Sequence, residues 1–280
     1  MNNNLANIKK CIFFLNKNDC IAIPTETVYG LAANAYSSKA VKKIYALKKR
    51  PKNNPSIVHY SSLNQLKKDC ELNKDFFILY KKFCPGPITF VLKLKKGSRI
   101  SKIVTNNKKT VAVRFPKNKL TQKLLKFLNY PLAAPSANIS TNISPVSAED
   151  VKEEFGKKIK FILNDGVSKI GLESTIISLV KKPEILRHGG IEIEKINKTL
   201  KKKIKFKSKK NKILVPGQGR VHYSPHIPIR LNAKNPFEDE AYLLIKKRKL
   251  KNKNYFYLTK NKNLKEAEKK LYKMLRLIKK

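Results

Sequence analysis

The stretch CIAIPTETVYGLAANAYSSKAVKKIYALKKRP, residues 20–51, decides the fold class. CIAIP (20–24) is a short apolar run closed by Pro24, the pattern of a buried strand. Residues 38–49 place Ala40, Ile44 and Leu47 at helical spacing. Ser37 or Ser38 can cap that helix, and Pro51 lies just past its end. Outward from this strand and helix the alternation continues. SIVHY (56–60) reads as a strand, 61–70 as a helix capped by Ser61 or Ser62, and 75–84 as a helix stopped by the turn Pro85-Gly86-Pro87. ITFVLKL (88–94) and TVAVRF (110–115) are β-rich. A helix at 119–128 leads into PLAAP (131–135) and the polar loop SANISTNISP (136–145). Residues 147–155 read as helix, and KFILND (160–165), STIISLV (174–180) and EILRHGG (184–190) as strands. The mixture predicts an α/β domain with a sizeable sheet.

Composition changes near residue 200. TLKKKIKFKSKKNK (199–212) is a charge run with little amphipathic pattern, expected to be a solvated linker. VPGQGRVHYSPHIP (215–228) reads as extended loop, and its G-Q-G lacks the third glycine and the strand-to-helix setting of a dinucleotide fingerprint. Beyond it lie strand candidates IRL, YLLI and YFYLT, then a helix, 263–279, with Leu264, Ala267, Leu271, Leu275 and Ile278 on one face. About 50 residues make a thin independent core, so this part is expected to lean on the first domain. The division expected is 1–204, a linker or lid at 205–228, and a small α/β unit at 229–280.

The chain has 280 residues, 41% of them hydrophobic, enough for a packed core. No apolar run approaches the roughly 18 residues of a membrane span. The run Cys11–Leu15 is too short for a signal-peptide core, so a cytoplasmic protein is expected, with no membrane association. The cysteines, at 11, 20, 70 and 84, have no C-x-x-C spacing, and His222 and His226 are split by Pro225 with no Cys pair near, so no metal site is expected. The net charge of +44 comes from 63 Lys+Arg against 19 Asp+Glu. The excess is mostly Lys, spread over the whole chain rather than along one stripe, as compositional drift would give. A nucleic-acid surface is the alternative. In either case such a field draws in polyanions such as ATP and tRNA.

No P-loop and no kinase motif set is present. In KKRPKNNPSIVH (48–59), Lys48, Lys49 and Arg50 sit at a helix end beside Pro51 and Pro55. They suit phosphate clamping or, more simply, complement the helix C-terminus. In TVAVRF, period two sets Val111, Val113 and Phe115 on one face and Thr110, Ala112 and Arg114 on the other. An Arg in an apolar strand needs an anionic partner, either a structural acid or a ligand carboxylate, and the scarcity of acids favours the ligand. PSAN (135–138) and GLESTIIS (171–178) put small hydrogen-bonding residues at strand ends, where α/β sheets build ligand sites.

Taken together, PTETVYGLAANA, K-x-RP-x3-P-x-IVH, PGPIT, TVAVRFP, PSAN, EST and LR-x-G, in this order and spacing, resemble the YrdC/Sua5 family of threonylcarbamoyl-AMP synthases. PG-x4-HYSP is similar to the linker of the longer, Sua5-type members, and AEKKLYKMLR to their terminal helix. The likeness is close over about residues 10–228. It implies a twisted mixed sheet with flanking helices around a large basic cavity. It also implies a nucleotidyltransferase that makes threonylcarbamoyl-adenylate and pyrophosphate from L-threonine, bicarbonate and ATP, with Mg²⁺ on the triphosphate. The product would pass to a t6A transferase complex that modifies adenosine 37 of tRNAs reading ANN codons, so tRNA is at most an indirect or weak partner. By the same resemblance, Lys48 and Arg50 are the catalytic pair, and Lys48, Arg50, Asn54, Thr110, Ser136, Ser144 and Arg187 hold the nucleotide, with Tyr223 as a lid. Thr27, His59, Arg114, Ala134 and Ser174 surround threonine. Departures are Lys49 where the family often has Gly, Ser56 for the usual Leu, LAANA for LGANA, and a tail about half the usual length.

Overall fold

The computed structural model describes residues 2–206, 215–217, 222–248 and 253–279. The chain opens with helix α1 (Asn2–Asn16), then β1 (Ile21–Ile23), β2 (Gly30–Asn34), α2 (Ser38–Leu47), β3 (Ile57–His59), α3 (Leu63–Asp69) and α4 (Lys74–Phe83). Next come β4 (Ile88–Lys93), α5 (Lys102–Thr105), β5 (Thr110–Arg114), α6 (Lys119–Lys126), β6 (Leu132–Ala133) and α7 (Ala148–Phe155). The rest is β7 (Thr175–Ser178), β8 (Glu184–Arg187), α8 (Ile193–Leu200), β9 (Lys205–Phe206), β10 (Tyr242–Lys246), β11 (Tyr255–Thr259) and α9 (Leu264–Ile278).

Side-chain caps fix the helix starts. Ser37 accepts from Ala40 N at α2, Ser62 from Gln65 N at α3, and Asn73 from Phe76 N at α4. Ser147 and Asp150 form a capping box at α7. Among the described residues, nine strands make one mixed sheet in the order β1-β2-β6-β3-β5-β4-β7-β8-β9. Its centre pairs His59 with Arg114 across parallel β3 and β5, and Arg114 with Thr89 across antiparallel β5 and β4. The period-two reading of β5 holds. Val111, Val113 and Phe115 join Val58 and Phe90 in the large core on one face, while Ala112 packs with Ile57, Val91, Ile176 and Val215 on the other. Arg114 shares that second face with Ala112, and the cavity opens there.

Four expectations change. KFILND makes a single bridge, Ile162 to Ala22, rather than a strand. The Asn164 side chain accepts from Gly166 N and turns the chain away. IRL forms no strand among the described residues, and Leu231 is 80% exposed. The basic run expected as linker begins inside the first unit, since Thr199 and Leu200 end α8 and Lys205–Phe206 pairs with β8. The remainder of that run, 207–212, lies outside the described residues. Finally, the expected face of α9 holds in part: Ala267 is buried and Leu271 and Leu275 pack against Val28, Ile143 and Val146, but Leu264 is 64% exposed and the deepest burial includes Tyr272 and Arg276, outside the stripe.

Candidate active site

The cavity lies between Thr25, Thr27 and Tyr29, the sheet residues Ile57, His59 and Arg114, the PSAN turn, Glu173, Ser174 and Arg187, and Pro216, His222 and Tyr223. Each wall comes from a different motif. Thr25 organises the first one, its hydroxyl donating to Val28 O at 2.6 Å while accepting from the Thr27 and Val28 amides. Thr27 in turn accepts from Arg114 Nη1 at 2.8 Å.

Arg114 already has an anionic partner. Nη2 meets Glu26 Oε1 at 2.7 Å with both side chains buried, and Glu26 Oε2 accepts the Lys117 amide. The TET segment thus supplies a structural acid, which takes the Nη2 edge of Arg114. What Arg114 keeps free is Nε, which is buried and unpartnered. Beside it, both ring nitrogens of His59 are buried without a partner. Burial, and then Arg114, holds the His59 pKa well below its ordinary value, so the ring is neutral.

Ser174 shares a 2.7 Å hydrogen bond with Thr89, and Arg187 donates Nε and Nη2 to Ser174 O. These two segments touch because residue 189 is glycine. A Cβ there would sit 2.3 Å from Glu173 O and 2.6 Å from Ser174 O. Arg187 Nη1 also reaches Pro216 O at 3.2 Å, tying the strand to the segment before Tyr223.

The basic motif splits. Arg50 lines the cavity, and Asn54 steadies it by accepting from Nη2 at 2.7 Å, as does Pro55 O. Burial, reinforced by Arg187, lowers its pKa. Lys48 does not line the cavity. Its ammonium is buried beneath the PSAN turn and donates to Ser136 O and Asn138 O. Burial, followed by the charge on Arg50, pulls its pKa well below the ordinary lysine value. Ser136 and Ala134 line the cavity, whereas Ser144 is fully buried behind it and donates to Glu173. Thr110 opens β5 four residues from Arg114, roughly 13 Å at strand spacing, and borders a separate cleft with Pro55, Ser56 and Val104.

Sequence reasoning missed Glu173, the carboxylate among the lining residues, although EST was in view. It also missed Glu26, Tyr272 and Arg276, which act by contact with distant segments and leave no local signature. His222 lies edge-on to Tyr223, ring centroids 4.0 Å apart. Burial and the nearby Arg187, Arg50 and Lys48 bring its pKa down to about 4. His226 lies elsewhere, on Asn142 at 2.6 Å. Among the described residues no helix is long and apolar enough to cross a membrane.

A family model for Sua5, YciO and YrdC proteins, described as "Telomere recombination", matches residues 14–189. The chain belongs to this Sua5/YciO/YrdC family. A second model, "Threonylcarbamoyl-AMP synthase, C-terminal domain", matches residues 191–280. A threonylcarbamoyl-AMP synthase of Pyrococcus abyssi is 43% identical over 67% of this chain and 55% of its own length. One from Bacillus subtilis is 36% identical over 84% of this chain and 69% of its own length. The chain thus matches roughly half to two thirds of these Sua5/YrdC relatives. The crystal structure of P. abyssi Sua5 complexed with L-threonine superposes with a TM-score of 0.86 at 34% identity, over 97% of this chain and 85% of that one.

Proposed function

We propose that this Sua5/YrdC protein is an L-threonylcarbamoyladenylate synthase, a nucleotidyltransferase acting on L-threonine, bicarbonate and ATP. The observation that carries the reading is the trio of orphaned polar atoms at the cavity floor, Arg114 Nε and both nitrogens of His59. Buried polar atoms without partners are costly unless a ligand completes them. A small polar amino acid fits that demand: its carboxylate toward Arg114, its hydroxyl and amine toward His59, Thr27 and Ser174, its methyl against Ala134. The Sua5 relative with L-threonine bound supports this choice.

The nucleotide takes the other side. Arg50, Ser136 and Arg187 border the cavity, with Tyr223 over it. Lys48, Asn54 and Ser144 act one step back, by fixing the PSAN turn, Arg50 and Glu173. The threonine amine bonds to the bicarbonate carbon and water leaves. The resulting carbamate oxygen bonds to the α-phosphorus as the bond to the β-phosphate oxygen breaks, and pyrophosphate departs. The protein's part is positioning and stabilisation of phosphate charge by arginines. Among the described residues no cluster of three or more His, Cys, Asp or Glu is present, and Glu173 is already occupied by Ser144 and Tyr272. Mg²⁺ would enter with the ATP triphosphate, held mostly by phosphate and water oxygens. The product passes to a cytoplasmic transferase that modifies tRNA.

Calorimetric titration with L-threonine tests the reading. Saturable binding that His59→Phe weakens strongly is expected, and absence of binding both with and without ATP contradicts it.

A further inference from the structure

Helix α9 buries an arginine and a tyrosine while exposing a leucine, and the contacts of those two residues explain why. The Tyr272 hydroxyl donates to Glu173 Oε2 at 2.6 Å, and Glu173 Oε1 accepts from Ser144. The Tyr272 ring stacks on Tyr223, centroids 5.5 Å apart and planes 23° from parallel. Arg276 Nη2 donates to Ile143 O at 2.6 Å and to Glu154 Oε1 at 2.9 Å. Glu154 Oε2 accepts from Ile139 N and Asn142 Nδ2. The two residues of α9 therefore brace both ends of segment 139–144. The lid segment docks on that same stretch, through Ser224 N to Thr141 O at 2.8 Å and His226 against Asn142. The helix lies hard on the GLEST turn, where a Cβ on Gly171 would stand 2.7 Å from Lys269 O.

We infer that Tyr272 and Arg276 are positioning residues through which the small C-terminal unit seats Tyr223 and fixes the Glu173–Ser144 wall of the cavity. The hydroxyl and the ring of Tyr272 have separable duties. The hydroxyl supplies Glu173 with one of the donors that a buried carboxylate requires. The ring is the seat against which Tyr223 closes. Arg276 holds the loop that carries both. The inference rests on the cavity being the reaction site only for its kinetic consequence, since the seating itself is a property of the folded chain.

The chain has no tryptophan, so Tyr223→Trp creates a lone tryptophan in the lid, excited at the red edge where the tyrosines do not absorb. Acrylamide quenching of that protein, without ATP or threonine, is expected to be weak. Adding Tyr272→Leu is expected to raise it several-fold, and adding Tyr272→Phe, which keeps the ring, is expected to leave it low. Gly171→Ala, which lifts α9 while leaving both residues present, is expected to raise it as Tyr272→Leu does. Circular dichroism confirms that each variant is folded. In the otherwise unaltered protein, Tyr272→Phe is expected to raise KM for ATP about tenfold with kcat nearly unchanged, the signature of lost binding rather than lost chemistry. Quenching unaffected by Tyr272→Leu and Gly171→Ala overturns the seating role whatever reaction the enzyme performs. An unchanged KM in Tyr272→Phe overturns the role of the hydroxyl. Quenching needs no turnover, so its result on the seating stands even if the proposed reaction fails.

Discussion

In the nine-stranded unit, Phe90, Val113 and Ile177 are inaccessible within one continuous core, and the buried ionisable groups Arg50, His59, Arg114 and Glu173 gather where the sheet meets the cavity. In the C-terminal unit the order is reversed. Ile229, Leu231 and Phe237 are exposed, β10 is at most half-buried, and the residues hidden best on the helix are Tyr272, Ala267 and Arg276. The first unit is held by its own apolar core. The second is held by docking, through apolar packing of α9 on Val28, Ile143 and Val146 and through polar bonds from Tyr272 to Glu173 and Arg276 to Glu154. A unit this short cannot bury enough surface alone, so its placement depends on its neighbour.

The largest effect expected is from Arg114→Ala. It strands the buried Glu26 carboxylate, a loss of about 3–5 kcal/mol, and it removes the group assigned to the threonine carboxylate. Denaturant unfolding and threonine titration should both respond. Full stability would show that Glu26 finds another partner. Phe90→Ala, at the centre of the sheet, is expected to cost about 3–5 kcal/mol in the same unfolding assay without a specific loss of threonine affinity in the remaining folded protein. A cost near zero would contradict the continuous core.

The lid gives a smaller, pH-dependent effect. His222 is held neutral, its pKa lowered from 6.5 to about 4. The unfolded chain therefore binds the extra proton between those values. Its contribution is complete above about pH 6.5 and is lost as pH falls toward 4. The melting temperature should drop more steeply over that window in the unaltered protein than in His222→Gln. Parallel curves would place His222 outside the docked lid. The smallest effect belongs to Phe237→Ala on the exposed tail surface, expected within about 0.5 kcal/mol of the original. A larger loss would mean that the tail has a core of its own.

The sheet was legible because its strands announce themselves locally. TVAVRF alternates cleanly, and Pro24 and Pro51 mark ends. The helix caps at Ser37 and Ser62 each fall on one of the two serines expected there. Among the candidate site residues, Thr27, Arg50, His59, Arg114, Ala134, Ser136, Ser174, Arg187 and Tyr223 border one cavity, while Lys48, Asn54, Ser144 and Thr110 stand apart from it. That separation has no local signal, because it depends on which way each side chain leaves its turn. The Glu26–Arg114 pair spans 88 residues and the Tyr272–Glu173 bond 99, distances over which no single-sequence pattern reports. The α9 face is legible only in part for the same reason: Ala267, Leu271 and Leu275 follow helical period and are at least half-buried, but Tyr272 and Arg276 are buried by partners in another unit.

The most direct measurement is pyrophosphate release from ATP by the purified chain, with L-threonine and bicarbonate each supplied or withheld. Release only when both are present is predicted. Equal release without threonine would contradict the assignment of the cavity.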